Sequence, residues 1–182
     1  MNKIILFLAL FGVFGLTIFG QNDKRIEEIK KNYQETGDKI KECEENGEYS
    51  SVFLSEFVVN KNNGSYPAVG IFNSIFKFYY TYGDREKNPY PNRLMKIVIE
   101  TKRSANTEKR EFLFNEKEQL IFYFESRENV EKRLYFQNET VIKFLVGDKT
   151  QKLKAEETVK LSKFVIAEKK KLIGIFQNSL DY

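Results

Sequence analysis

Two runs of β-forming residues, each interrupted by a short polar turn, lie in the middle of the chain. One stretch spans Phe112–Phe124 with a turn at Asn115–Gln119, and a second spans Leu134–Leu145 with a turn at Gln137–Thr140. Strong β-forming residues on both sides of a short Asn-containing turn are typical of β-hairpins. The pattern therefore predicts two consecutive hairpins of similar construction.

Three segments before these hairpins also have the residue pattern of strands. They are Ser51–Val59, Ala68–Tyr82 and Arg93–Lys102. The loop Gly83–Asn92 contains two prolines, which are excluded from the middle of a sheet, so we expect it to separate the last two strands. Gly147–Thr150 is predicted to close the sheet as a final turn.

Apolar residues repeat every three or four positions over Asn22–Asn46, which predicts a helix with one narrow apolar stripe. Asn46 and Gly47 supply a left-handed C-terminal stop. The stripe is expected to dock onto the sheet. Its members are Ile26, Ile29, Tyr33, Thr36, Ile40 and Cys43.

A second helix is predicted over Ala155–Asn178, where the apolar stripe is broader. Charged residues, including the run Lys169–Lys171, are predicted to face solvent. Such a wide stripe indicates a helix laid against the sheet. Its members are Val159, Leu161, Phe164, Val165, Leu172, Ile175 and Phe176.

The predicted order is one helix, about six or seven strands, and a second helix. Helices kept at the two ends of a run of strands indicate an α+β fold, here an antiparallel β-meander flanked by an N-terminal and a C-terminal helix. With a simple pleat, one sheet face collects most large apolar side chains and forms the core under the second helix. This predicted core face consists of Phe76, Phe78, Tyr80, Met95, Ile97, Ile99, Phe112, Phe114, Leu120, Phe122, Phe124, Leu134, Phe136, Ile142 and Phe144.

The opposite sheet face carries tyrosines and charged residues among a few aliphatic ones. Rigid aromatic rings with polar tips suit a binding surface. An open, solvated sheet face and partial cover by the first helix are the alternative interpretations. The candidate partner-binding residues are Lys77, Tyr79, Lys96, Tyr123, Arg133 and Tyr135, together with Tyr90, which stands between two prolines in the Asp84–Asn92 loop.

The first twenty residues have the pattern of a secretory signal peptide. Lys3 precedes the apolar run Ile4–Phe19, and Gly20 is followed by polar sequence. A membrane anchor is the alternative, although the run is shorter than the roughly 20 residues that a bilayer span needs. We therefore predict a signal peptide over residues 1–20, a single α+β domain over residues 21–182, and a secreted or periplasmic location.

Composition narrows the possible chemistry further. The net charge of +4 is small, and basic and acidic residues are interspersed along the chain. We therefore expect no nucleic-acid partner. The chain has one cysteine and no histidine, which excludes an internal disulfide, histidine-dependent catalysis and the usual zinc sites. No nucleotide-binding or nucleophile motif is present, and we predict no catalytic residue, no metal and no cofactor.

The segments Phe19–Gln21, Leu113–Asn115 and Leu134–Asn138 give the chain a resemblance to uncharacterised secreted or periplasmic proteins of Gram-negative bacteria. The resemblance implies export and the helix–meander–helix plan, and it assigns no activity and no functional residue. We expect a non-enzymatic module that binds an unknown protein or small ligand in the envelope. The alternatives are a hydrolase that uses paired carboxylates, and a structural envelope module that contacts the membrane only through an uncleaved N-terminus.

Overall fold

The fold is a twisted antiparallel sheet with one helix on each face. The computed structural model describes residues 2–47, 50–67, 70–103 and 106–180, and its description of side chains begins at Asn22. The helices are α1 (Asn2–Asn46) and α2 (Ala155–Asn178). The strands are β1 (Phe53–Val59), β2 (Ser65–Tyr66), β3 (Gly70–Tyr82), β4 (Pro91–Arg103), β5 (Asn106–Phe114), β6 (Leu120–Arg127), β7 (Val130–Gln137), β8 (Thr140–Val146) and β9 (Lys149–Thr150).

The predicted α+β meander is confirmed. The strand order is β1-β3-β4-β5-β6-β7-β8-β9, so each strand lies beside the next one in sequence, except that β1 lies beside β3, with which the short β2 also pairs. The two-residue strands β2 and β9 account for the difference from the six or seven strands expected. Both predicted hairpins are present, as β5–β6 and β7–β8. Pro91 is tolerated because it is the first residue of β4.

Helix α1 crosses one face of the sheet diagonally. Ile26 and Ile29 pack on β5, β6 and β7, whereas Ile40 and Cys43 pack on β3 and β4. Gly47 follows the helix with a φ of 53°, the left-handed conformation expected of a C-terminal stop. The predicted apolar stripe is confirmed, but the helix begins at Asn2 rather than at Asn22 and so includes residues 2–20 of the predicted signal segment.

Helix α2 covers the other face and builds the main core. Val165, Leu172 and Phe176 are buried against the sheet, and Phe176 stacks on Phe78 with ring centroids 5.3 Å apart. The buried stripe of α2 is narrower than predicted. Three residues of the predicted stripe are exposed: Val159, Phe164 and Ile175. Lys169, predicted to face solvent, is instead buried in an ion pair with Glu139.

Extra residues interrupt the pairing in β4, β6 and β8. Asn92 is one of them, near the start of β4. The other three are Met95, Ile121 and Ile142. They lie at one level of the sheet, because Lys96, Leu113, Phe122, Tyr135 and Lys143 are paired in succession across it. Each bulge increases the local twist and reverses the in-and-out alternation beyond it.

The bulges overturn part of the predicted division between the two faces. Met95, Phe122, Phe124 and Ile142 were expected under α2 and instead face α1. Tyr123 was expected on the opposite face and lies in the α2 core. A simple pleat places residues by counting in twos, and an extra residue shifts that count by one. The other members of the predicted core face lie under α2 as expected.

Candidate functional site

The sheet face predicted to bind a partner is covered by α1. Tyr79 is only 2% exposed and its hydroxyl donates a 2.7 Å hydrogen bond to Glu44 of the helix. Lys77 also pairs with Glu44, at 3.5 Å. Of the two alternative interpretations, the open, solvated face does not describe these residues, and partial cover by the first helix does. Backbone pairing and an apolar helix stripe together remove this part of the face from water.

Tyr123 does not belong with the other tyrosines. It is 2% exposed, packs edge-on against Phe112 at 5.0 Å between ring centroids, and lies under α2. Tyr90 is far more accessible, at 58%, and lies in the loop before β4. The structure thus places Tyr123 on the face opposite to Tyr79 and Tyr135, and Tyr90 outside the surface that α1 covers.

A partly buried cluster of polar and charged residues connects α1 to β4 and β5. We define the Lys96 cluster as Tyr33, Lys96, Lys109 and Glu111. Lys96 Nζ lies 2.7 Å from Glu111 Oε2, Lys109 Nζ lies 2.8 Å from Glu111 Oε1, and the Tyr33 hydroxyl donates to Glu111 Oε2 at 2.7 Å. The ammonium of Lys96 also lies 4.3 Å from the centre of the Tyr33 ring, within reach of a cation–π interaction.

The Lys96 cluster shifts the titration of its own members. Burial alone would raise the pKa of Glu111, but Lys96, Lys109 and Tyr33 outweigh burial and hold that pKa below its ordinary value. Burial raises the pKa of the Tyr33 phenol, and the hydrogen bond to Glu111 raises it further. Tyr33 therefore remains a protonated donor at neutral pH, which fixes the orientation of its ring.

A cavity of about 360 Å³ opens between α1 and the β6–β7 hairpin, beside the fixed ring of Tyr33. Its size lies within the range of small-ligand sites. Phe122 meets Tyr33 and Tyr135 edge-on, with ring centroids 5.2 Å and 5.1 Å apart. We call this cavity the aromatic pocket; it is lined by Ile29, Lys30, Tyr33, Phe122, Phe124, Glu131, Arg133 and Tyr135.

The charges at the rim of the aromatic pocket are paired with one another. Arg133 bonds to Glu131 and, at 3.4 Å, to Asp148. Lys30 Nζ lies 2.7 Å from Glu27. Since each cation already has a carboxylate partner, the pocket offers apolar rings without a surplus of positive charge. Two predicted site residues, Arg133 and Tyr135, line this pocket, and Lys96 supports its wall through Tyr33.

The other cavities are less suited to bind an apolar ligand or to catalyse a reaction with paired carboxylates. A neighbouring cavity of about 370 Å³ is lined mainly by polar side chains, among them Lys24 and Arg25. Each of the five cavities described is lined by a single carboxylate, which gives no facing pair for glycosidase-like chemistry. These are Glu28, Glu131, Glu118, Glu44 and Glu139. Within the described part of the chain, no three potential metal ligands come together.

Six of the eight pocket residues were not predicted from the sequence, among them Ile29, Tyr33 and Phe122. The helical stripe contained the first two, but nothing in the sequence placed that stripe over β6 and β7. Phe122 was assigned to the wrong face because the bulge in β6 is invisible to a count in twos. The one sequence signal for such a bulge is a pair of adjacent apolar residues directly after each polar turn.

Comparisons with known proteins leave the function to be inferred from this geometry. The chain matches no family model, no curated protein and no solved structure. Among the described residues, neither helix is long and apolar enough to cross a membrane.

Proposed function

We propose that the protein is a non-enzymatic binding module that holds an uncharged apolar group of a small ligand in the aromatic pocket. The observation that carries the proposal is a cavity of about 360 Å³ walled by four aromatic rings. Tyr33, one of these rings, is fixed by Glu111 and Lys96 before any ligand arrives. A preformed apolar wall limits the entropy lost on binding.

The paired rim charges give the pocket its selectivity. An anionic ligand would have to compete with Glu131 and Asp148 for Arg133, and with Glu27 for Lys30. An uncharged ligand of similar shape leaves these pairs intact. We therefore expect a preference for uncharged aromatic or aliphatic groups.

Two fluorescent probes with a common body test this preference. N-phenyl-1-naphthylamine is uncharged, whereas 8-anilinonaphthalene-1-sulfonate carries a sulfonate on the same aromatic frame. We expect the uncharged probe to bind at least about tenfold more tightly, a difference of about 1.4 kcal/mol. Equal binding, or tighter binding of the sulfonate, contradicts the proposed selectivity.

A substitution that fills the aromatic pocket identifies the binding site. Lys30 lines the pocket and Lys31, the next residue along the helix, does not. Both side chains are well exposed and make only surface ion pairs, so neither change should unfold the protein. Lys30→Trp should abolish the fluorescence of the uncharged probe, and Lys31→Trp should preserve it. Probe binding that survives Lys30→Trp would remove the pocket from consideration.

The proposed location is outside the cytoplasm, in the periplasm or secreted. It rests on the residue pattern of positions 1–20, a positive residue, an apolar run and a glycine followed by polar sequence. Mass spectrometry of the protein recovered from the cell envelope tests it: a mature chain that starts at Gln21 supports export with cleavage, and an intact Met1 contradicts cleavage.

A further inference from the structure

The two edges of the sheet are protected to very different degrees. At the β8 edge, β9 pairs with Leu145 and Val146, and the N–H groups of Gln151 and Val141 bond to Phe144 and to Ser162 of α2. At the other edge, β1 pairs with β3 on one side only, among the residues that the structure describes. The outer N–H and C=O groups of β1 therefore face outward without a strand beside them.

Strand β1 has few of the features that usually protect an edge. It is seven residues long, it pairs with β3 without a bulge from Phe53 to Val59, and it contains neither proline nor lysine. Glu56 is its one charged residue, and Leu54, Val58 and Val59 are exposed. A regular, apolar edge of this kind is a template for the addition of another strand.

A groove of about 620 Å³ runs beside β1, between this strand and the C-terminal end of α1. Cys43, Val52 and Leu54 supply its apolar surface. Leu54 and Val58 share this side of the sheet, because Leu54 is paired with Tyr79, whose hydroxyl bonds to α1. Alternate side chains of an added strand would point to this side of the sheet, and those beside Phe53 and Leu54 would lie over the groove.

The charges around the groove favour a basic partner. The last turns of α1 carry Glu42, Glu44 and Glu45, and the final turn contains no basic residue. Lys77 is paired with Glu44 and lies opposite Glu56 in the β1–β3 register, and Lys41 is paired with Glu45. Lys39 is the remaining lysine of these turns, so the four carboxylates outnumber the three lysines by one. The carbonyl end of a helix adds partial negative charge at the same place.

We propose that the outer edge of β1 binds an extended segment of a partner protein by strand addition. The segment has apolar side chains at alternate positions, which lie over the groove, and lysine or arginine nearby, which meets Glu42 and Glu56. Main-chain hydrogen bonds provide the affinity, and the groove and its acidic rim provide the selectivity. This interaction is independent of the aromatic pocket.

The test uses a blocked ten-residue peptide in which valine alternates with lysine and threonine, and the full-length protein. We expect saturable binding with chemical-shift changes concentrated in β1, and at least tenfold weaker binding when glutamate replaces lysine in the peptide. Two further peptides carry N-methyl groups on every second amide, in the two possible phases. Only the peptide whose N-methyl groups replace the N–H groups that face β1 should lose binding.

Matched variants locate the peptide on the protein. Val58 and Val130 have similar exposure, 38% and 45%, but Val130 lies on β7. Val58→Lys should weaken binding of the basic peptide at least tenfold, Val58→Glu should preserve or strengthen it, and Val130→Lys should leave it unchanged. No binding, equal binding of the acidic peptide, or insensitivity to both methylation phases overturns the proposal. A concentration-dependent dimer that Val58→Lys dissociates would instead assign the edge to a second copy of this chain, and overturns it as well.

Discussion

Lys96 Nζ lies 2.7 Å from Glu111 Oε2, and the two side chains are 8% and 3% exposed beneath α1. This ion pair connects neighbouring strands and, through the Tyr33 hydroxyl, the helix above them. Apolar packing alone would let α1 slide or rotate over the sheet, because hydrophobic contacts have little directionality. Tyr33 is the donor from the helix among the three that converge on this carboxylate, so its hydrogen bond favours one position of α1 and of the wall of the aromatic pocket.

Removing the carboxylate of Glu111 should strongly destabilise the protein. Glu111→Gln leaves Lys96 buried without its counter-charge, and we expect a loss of about 3–5 kcal/mol in the free energy of unfolding. Urea denaturation followed by circular dichroism measures the loss. The control is Glu45→Gln, which removes the exposed pair with Lys41 and should cost about 0–1 kcal/mol.

Replacing both partners separates the cost of a stranded charge from the value of the pair. Lys96→Met combined with Glu111→Leu leaves no buried charge unpaired between these two residues, so it should recover most of the stability lost in Glu111→Gln. A double variant as unstable as Glu111→Gln would contradict this account.

The same cluster predicts how stability depends on pH. The pKa of Glu111 in the folded protein lies below its ordinary value of 4.5, because Lys96, Lys109 and Tyr33 outweigh burial. The contribution of the Glu111 carboxylate to the stability of the protein is fully present above that ordinary value. It is lost as pH falls through the lower, folded-state pKa. Comparing urea midpoints of the wild type and Glu111→Gln from about pH 7 to about pH 3 tests this. The gap between the two proteins should narrow with acid, and a constant gap would contradict the prediction.

A double-mutant cycle tests the bulge in β6. Tyr33 and Phe122 lie edge-on at 5.2 Å between ring centroids, so replacing both by leucine should reveal a coupling of about 0.5–1.5 kcal/mol. Tyr123, the next residue, lies on the opposite face of the sheet and should show a coupling with Tyr33 near zero. Coupling of Tyr33 to Tyr123 rather than to Phe122 would mean that β6 pairs without the bulge.

Two hairpin turns with the same backbone should respond oppositely to glycine. Glu128 and Glu139 both adopt left-handed φ values, 49° and 59°. Glu128→Gly should relieve strain and stabilise the protein by about 1 kcal/mol. Glu139→Gly relieves similar strain but leaves the buried Lys169 without its partner, 2.7 Å away, at a cost of about 1–3 kcal/mol.

Melting temperatures of the two turn variants decide the matter. The value should rise for Glu128→Gly and should fall or stay level for Glu139→Gly. An equal rise in both would show that the pair between Glu139 and Lys169 adds nothing to stability.

Local pattern was sufficient for the elements and for their order. The turns after Phe114 and Gln137 were predictable because short polar segments between β-forming residues have few alternative conformations. The stripe containing Ile29 and Cys43 was predictable because residues three and four apart share one side of a helix. These signals need no knowledge of the partner surface.

The sequence determined the antiparallel meander, its two helices and the apolar side of each. Only the tertiary structure decided which face Phe122 and Tyr123 occupy, that α1 covers Tyr79 and Tyr135, and where the aromatic pocket opens. A bulge is defined by the pairing of two strands, and the placement of a helix is defined by the groups that meet across an interface. Neither quantity is a property of any single segment, so neither could be obtained from residue spacing.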